Sequence, residues 1–416
     1  MGTSTLFLSN GAKVVYKKTD FKNGEIVMEG ISFGGTNLYS DDEIKKIQFA
    51  NLGLTQAGFS GLNLNEINQF MAGKFAPVNP YISEITEGLK GNTTPHDFET
   101  LFQTIYAYFT DLNYDKDAFN GFAQKMDNYL KNISSDPNVY FGQEFESFLN
   151  QNNPRYIGIP DEETWKQTDY ALAYKKHKER FANASDFVFY FVGNINDKEI
   201  ENFASKYIAT LPSNNHKHEK AIDLKYKWIK GNLKKIVYKG TDSKSAVTIN
   251  YYGETKYVDK EALSFKALGD ILTIKLTEQL RENESSVYGI KAQGIIKKIP
   301  SGKYSFTIGF PCNPANTEKL IAAALKVLQK IIDNGPEDKD LKKFKQAELL
   351  DYTKNRKENM FWLNNFTEAY INGVNNEEIF KTVAKINNIT AKDIKKVAQK
   401  YLTKDKTIGI LLPEKK

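Results

Sequence analysis

A single cysteine, Cys312, excludes an intramolecular disulfide and any multi-cysteine metal cluster. It stands in Pro311-Cys312-Asn313-Pro314, a turn-like stretch with no neighbour to activate a thiolate, and reads as a structural residue. Histidine is nearly as scarce: only His96, His177, His216 and His218 occur. His96 follows Pro95 at a helix start, and His177-Lys178-Glu179-Arg180 has no second histidine to complete an H-x-x-E-H zinc helix. His216-Lys217-His218 lies in a polar linker without a carboxylate framework, so no catalytic zinc is expected in this chain.

Other absences narrow the chemistry further. No uninterrupted apolar run of about 18 residues occurs, so nothing reads as a membrane span. Met1-Gly2-Thr3-Ser4 lacks the basic and then apolar segments of an export signal and passes almost at once into strand-like sequence, as a cut from a longer chain would. A cut from an exported parent would place the chain in the periplasm or cell envelope, and otherwise in the cytoplasm. There is no G-x-S-x-G nucleophile elbow. Gly34-Gly35 and Tyr252-Gly253 lack the third glycine and the Lys-Ser/Thr of phosphate loops. No carboxylate pair stands out for glycosidase-type acid/base work. The net charge of +6 is spread over many lysines rather than gathered, and runs such as Lys175-Lys176-His177-Lys178 and Lys342-Lys343 read as solvated helix faces, not a nucleic-acid patch.

What is present is an ordinary globular composition, 40% hydrophobic and 26% charged, in 416 residues, enough for two domains of about 200 each. The chain also repeats itself. Lys13-Val14-Val15-Tyr16-Lys17 returns as Lys235-Ile236-Val237-Tyr238-Lys239, and Asp115-Lys116-Asp117 as Asp338-Lys339-Asp340, with the same order of elements between. In the first half strands are predicted at 25–32, 75–87 and 186–192, with helices at 41–57, 95–110, 116–131, 139–149 and 197–211. The second half predicts strands at 246–252, 287–296, 303–310 and 407–412, and helices at 260–281, 317–333, 338–372 and 391–401. A hairpin is expected around Pro300-Ser301-Gly302. Strands followed by blocks of helices imply an α+β fold with mostly antiparallel sheets. The polar stretch Pro212–Lys220 divides it into homologous domains over 1–215 and 216–416.

One constellation has chemical potential. Arg281 closes an amphipathic helix in Leu280-Arg281-Glu282-Asn283-Glu284, and Tyr288 opens a strand in Ser286-Val287-Tyr288-Gly289. A helix-to-strand turn can bring guanidinium and phenol to one side of a cleft, both as donors to carbonyl or oxyanion oxygen. On the residues alone the structural account is the better one, since a cation suits a helix C-terminus and aromatics suit strands.

The chain resembles the pitrilysin/insulin-degrading-enzyme superfamily of zinc peptidases, in the C-terminal half of its four-domain bacterial members. The resemblance rests on 180–194, on Tyr207–Pro212, on Lys239-Gly240-Thr241, on 267–273, on 304–310 and on Leu411-Leu412-Pro413-Glu414. It implies a clam-shell half, two duplicated α+β domains that close on a zinc-bearing half, fused or separate, around peptide substrates. Active members carry H-x-x-E-H on the helix equivalent to 41–57; here its core, Ile47-Gln48-Phe49-Ala50-Asn51-Leu52-Gly53-Leu54-Thr55-Gln56, holds no histidine. By resemblance zinc belongs to the partner half. Arg281 and Tyr288 fall on a family pair that hydrogen-bonds the substrate backbone, although Glu284-Ser285-Ser286 departs from the usual flanking residues. The alternative is a non-peptidase scaffold or peptide-binding subunit of the same fold, as in respiratory-complex core proteins.

Overall fold

A computed structural model describes all residues except 1, 154, 157, 160–164, 215–217, 284–288, 404 and 416; of 281–283 it describes the backbone only. The strands are β1 Thr3–Phe7, β2 Lys13–Lys18, β3 Ile26–Phe33, β4 Val78–Ile82, β5 Thr86–Thr93, β6 Val188–Gly193, β7 Leu233–Tyr238, β8 Ser245–Glu254, β9 Lys291–Lys297, β10 Lys303–Cys312 and β11 Thr407–Leu412. The first-half helices are α1 Asp41–Ile47, α2 Ala50–Gly53, α3 Leu64–Phe70, α4 Phe98–Thr110, α5 Lys116–Ile133, α6 Pro137–Leu149, α7 Tyr170–Arg180 and α8 Asp197–Phe203. The second half adds α9 Asp259–Asn283, α10 Thr317–Asn334, α11 Asp338–Asn355, α12 Asn359–Asn372, α13 Thr382–Asn387 and α14 Ala391–Tyr401.

Two compact units result, each an α+β assembly around one sheet. The first orders its strands β1-β2-β6-β3-β5-β4, and the second β7-β11-β8-β10-β9. In each, one neighbouring pair is parallel (β2 with β6, β7 with β11) and the rest are antiparallel. The internal duplication is thus visible as one topology drawn twice. One face of each sheet packs on helices through a large apolar core. Phe98, Phe102, Phe189 and Phe191 lie in the first, Phe265, Leu272, Phe306 and Ile331 in the second, each at 5% exposure or less.

The other face of each sheet is covered by a helix encoded in the opposite half of the sequence. Unit one comprises residues 1–128, 160–224 and 353–379, and unit two residues 129–159, 225–352 and 380–416. Phe366, Trp362 and Leu363 of α12 pack on Val27, Ile31, Tyr190 and Val192 of the first sheet. Phe141, Phe145 and Leu149 of α6 pack on Val237 and Leu411 of the second. Glycine permits the close approach in the second unit, since a Cβ on Gly409 would stand 2.7 Å from the Phe145 ring.

Several expected boundaries move. The segment 75–87 is not one strand but β4 turning into β5, and 338–372 is two helices broken at 356–358, where Glu358 turns to extended dihedrals and Trp362 Nε1 donates to Arg356 O. Cys312 is the last residue of β10 rather than part of a turn; it is buried, with Sγ 3.6 Å from Thr317 Oγ1. The hairpin at 298–302, α14 and β11 lie where the pattern put them.

Candidate functional site

The segment that would bear a zinc motif starts as a well-capped helix. Ser40 and Glu43 form a reciprocal capping box, and Asp41, Asp42 and Glu43 place negative charge at the positive helix end. The expected helix over 41–57 does not run through. Lys46 O accepts the N–H of Asp169, the ladder is interrupted at Gln48 and Phe49, and Leu54–Ala57 tightens into a 3-10 turn. Gln48 and Asn51 present amide oxygens here, buried without a hydrogen-bond partner. Neutral amides are poor zinc ligands, and no group of three His, Cys, Asp or Glu side chains converges among the described residues. The residues present do not fit a catalytic zinc site.

The remaining histidines have other settings. His177 is buried in the core, stacked on Phe181 at 4.4 Å with Nε2 3.2 Å from Tyr108 O, and burial lowers its pKa to about 4. It is a neutral packing residue. His96 is exposed beside Asp97, His218 Nδ1 lies 2.5 Å from Asp186 Oδ1, and His216 lies outside the described residues.

Tyr288 and the side chain of Arg281 also lie outside the described residues, but the elements that lead to both are defined. Helix α9 reaches 283 and β9 begins at Lys291. The two are seamed at backbone distance. A Cβ on Gly269 would stand 2.9 Å from Gly294 N, and one on Gly294 would stand 2.4 Å from Phe265 O. Thr273 Oγ1 accepts the N–H of Ala292 at 2.8 Å and donates to Gly269 O at 2.9 Å. Helix and strand are therefore fixed in register on either side of the undescribed residues 284–288. The same contacts occupy the outer edge of β9 at 292–294, so no added strand can pair there.

A second polar cluster, in unit one, was not legible from sequence. Glu87, at the start of β5, is 1% exposed. Its carboxylate accepts the N–H of Gly35, and Arg180 Nη1 lies 3.8 Å from it while bonding Glu219 Oε2 at 2.5 Å. Arg180 and Lys176 both lie against the ring of Tyr39. Burial outweighs the Gly35 and Arg180 contributions and pushes the Glu87 pKa up to about 8, while burial likewise raises the Tyr39 phenol. The signal in sequence would have been Gly34-Gly35, whose positive φ angles of 150° and 72° bring backbone onto a side chain.

This cluster makes a prediction about pH. A carboxyl whose folded pKa exceeds its unfolded value favours the folded state at low pH and loses that contribution as pH rises. The window runs from the ordinary value of 4.5 up to about 8. Glu87→Gln keeps the shape without the charge. Its Tm is expected to be above that of the parent at about pH 8.5 and to converge with it near pH 5. Thermal melts of both proteins at the two pH values check this; a gap that stays constant with pH would contradict it.

Comparison with known proteins agrees with this description. Residues 173–348 match the Peptidase M16 inactive domain. Over 351 residues the chain is 22% identical to the probable zinc protease PqqL of Haemophilus influenzae, an alignment covering 81% of this chain and 36% of that protein. The periplasmic protease PqqL of Escherichia coli superposes with a TM-score of 0.84 at 17% identity, covering 99% of this chain and 46% of that one. A peptidase M16 inactive domain from Pseudomonas fluorescens gives a TM-score of 0.80 at 14% identity, with 100% and 99% covered. Residues 173–348 are thus similar to the Peptidase M16 inactive domain, and the chain has the fold of a solved M16 inactive domain. Among curated proteins it is similar to PqqL-type zinc proteases, and it spans well under half the length of the curated relative from Haemophilus. No described helix is long and apolar enough to cross a membrane.

Proposed function

We propose that this chain is the non-catalytic, substrate-holding half of a zinc metallopeptidase, with zinc and the water it activates residing in a partner half, fused or separate. The observation that carries this reading is a match to the inactive M16 domain combined with a 41–57 segment that offers amides where ligands are needed. The chain closes on the zinc-bearing half around an enclosed chamber, and peptide lies extended along a sheet edge, held chiefly through its backbone. The duplication boundary is kept at 215/216. Arg281 and Tyr288, at the end of the α9–β9 seam, donate hydrogen bonds to substrate carbonyl oxygen; both are donors, and neither needs to ionise for this role. The zinc chemistry itself is the partner's, as a Lewis acid and a source of nucleophilic water.

Complementation tests the proposal. Purified chain is added to the zinc-bearing half of its own system, and cleavage of a fluorogenic peptide is followed. Peptidase activity that requires both components is expected. A zinc-bearing half already fully active alone would assign this chain to the scaffold class.

A further inference from the structure

The two sheets are built alike except at one edge. In unit one the outer side of β2 is closed by β1, which runs antiparallel with Ser4 opposite Tyr16 and Leu6 opposite Val14. Val14 and Tyr16 beside it are 0% and 3% exposed, within a core that also draws on α8, whose Asp197 accepts a hydrogen bond from the Tyr16 hydroxyl. By the repeat, Val14 and Tyr16 correspond to Ile236 and Tyr238 of β7, which are 41% and 44% exposed. Strand β7 is terminal in its sheet, and its inner side pairs with β11 in parallel. Leu233 and Lys239 donate their N–H groups inward, to Lys406 O and Leu412 O. By alternation Lys234, Ile236 and Tyr238 turn their N–H and C=O groups outward, and no described residue pairs with them.

The segment that occupies the place of β1 in the repeat, Lys225–Ile229, is engaged elsewhere. Ile229 N donates to Leu149 O at the end of α6, Tyr252 OH donates to Ile229 O, Arg155 Nε donates to Tyr226 OH, and Trp228 packs edge-on against Tyr252 at 4.8 Å. It cannot close β7 without giving up those contacts. What remains is an unpaired edge on which half-exposed Ile236 and Tyr238 stand between Lys234, Lys235 and Lys239.

From this we infer that β7 is a docking edge for an extended segment of another polypeptide, added antiparallel, with an apolar side chain opposite Ile236 and a small one opposite Tyr238. Strand β1 supplies the occupant's chemistry, because the same fold already accepts Thr3–Phe7 in that geometry. The edge lies at the opposite side of the second sheet from β9, so this inference stands apart from the peptidase reading.

The test uses the whole chain and a fluorescent peptide copying residues 2–9, followed by anisotropy. Saturable binding is expected. Ile236→Pro removes an outward N–H on an edge strand, where proline is tolerated, and should weaken binding about tenfold or more with Tm nearly unchanged. Val237→Pro, which breaks the pairing with β11, marks what unfolding looks like. Absence of saturable binding, or equal affinity in Ile236→Pro, overturns the inference. Binding that survives Ile236→Pro but is lost in Ile236→Asp would mean contact through side chains alone, and also overturns it. A peptide-free dimer that Ile236→Pro dissociates would assign the edge to a second copy of the chain instead.

Discussion

Replacing Arg281 by alanine, or Tyr288 by phenylalanine, in the reconstituted peptidase is expected to lower kcat/KM by about tenfold or more, a loss of roughly 1.4 kcal/mol of transition-state stabilisation. Placement is what would give these side chains their effect. Helix α9 is buried along its inner face by Leu268, Leu272, Leu276 and Leu280, and is pinned to β9 through Gly269 and Thr273. A donor carried at the end of so fixed an element can be held ready for a carbonyl oxygen that becomes more negative during attack. The conservative Tyr288→Phe change removes only a hydroxyl, so its effect reads the hydrogen bond and not packing. Steady-state kinetics with Tm in parallel separates a lost contact from a lost fold. Rates within twofold of the parent for both variants would remove these residues from the substrate site.

Phe366→Ala is expected to cost about 3–5 kcal/mol, because it deletes a wholly buried ring and the cavity between helix and sheet cannot fully collapse. Phe366 is 0% exposed, with its ring 5.8 Å from that of Tyr190 on β6. Its helix is encoded far along the chain, yet it seals the sheet of the first unit. Asn359, at the start of α12, accepts from Thr19 Oγ1 and donates to Glu25 Oε2, both in that unit. The loss should therefore register in unit one, as a fall in Tm of roughly 10 °C and as faster amide exchange in β3 and β6. A change confined to amides of β8 and β10 would contradict the packing described.

Much of this was open to reading because local pattern and tertiary setting agree. Helix α14 carries a Thr390–Asp393 capping box and a clean apolar stripe, and β11 is apolar from Ile408 to Leu412, so both elements could be placed. The duplicated Lys13–Lys17 and Lys235–Lys239 stretches announced two related units for the same reason. Where the reading failed, a distant group decides. The break after Ile47 depends on Asp169 taking a carbonyl, and no periodicity within 41–57 could reveal that partner. The exchange of α6 and α12 between sheets is equally silent, since an apolar stripe says that a helix is covered and not by what. Glu87 looked like any strand carboxylate until Gly35 and Arg180 closed over it. Likewise, β1 and its missing counterpart differ only in whether Lys225–Ile229 finds a better partner in α6 than in β7.

No group of three His, Cys, Asp or Glu side chains converges among the described residues to hold a catalytic metal, and metal content measured alongside activity tests most directly whether the chain binds one. The purified chain, incubated with zinc, desalted and assayed for bound metal and for cleavage of a fluorogenic peptide, should retain far less than one equivalent and cleave nothing. One equivalent of tightly held zinc, together with peptide cleavage abolished by a chelator, would contradict this account.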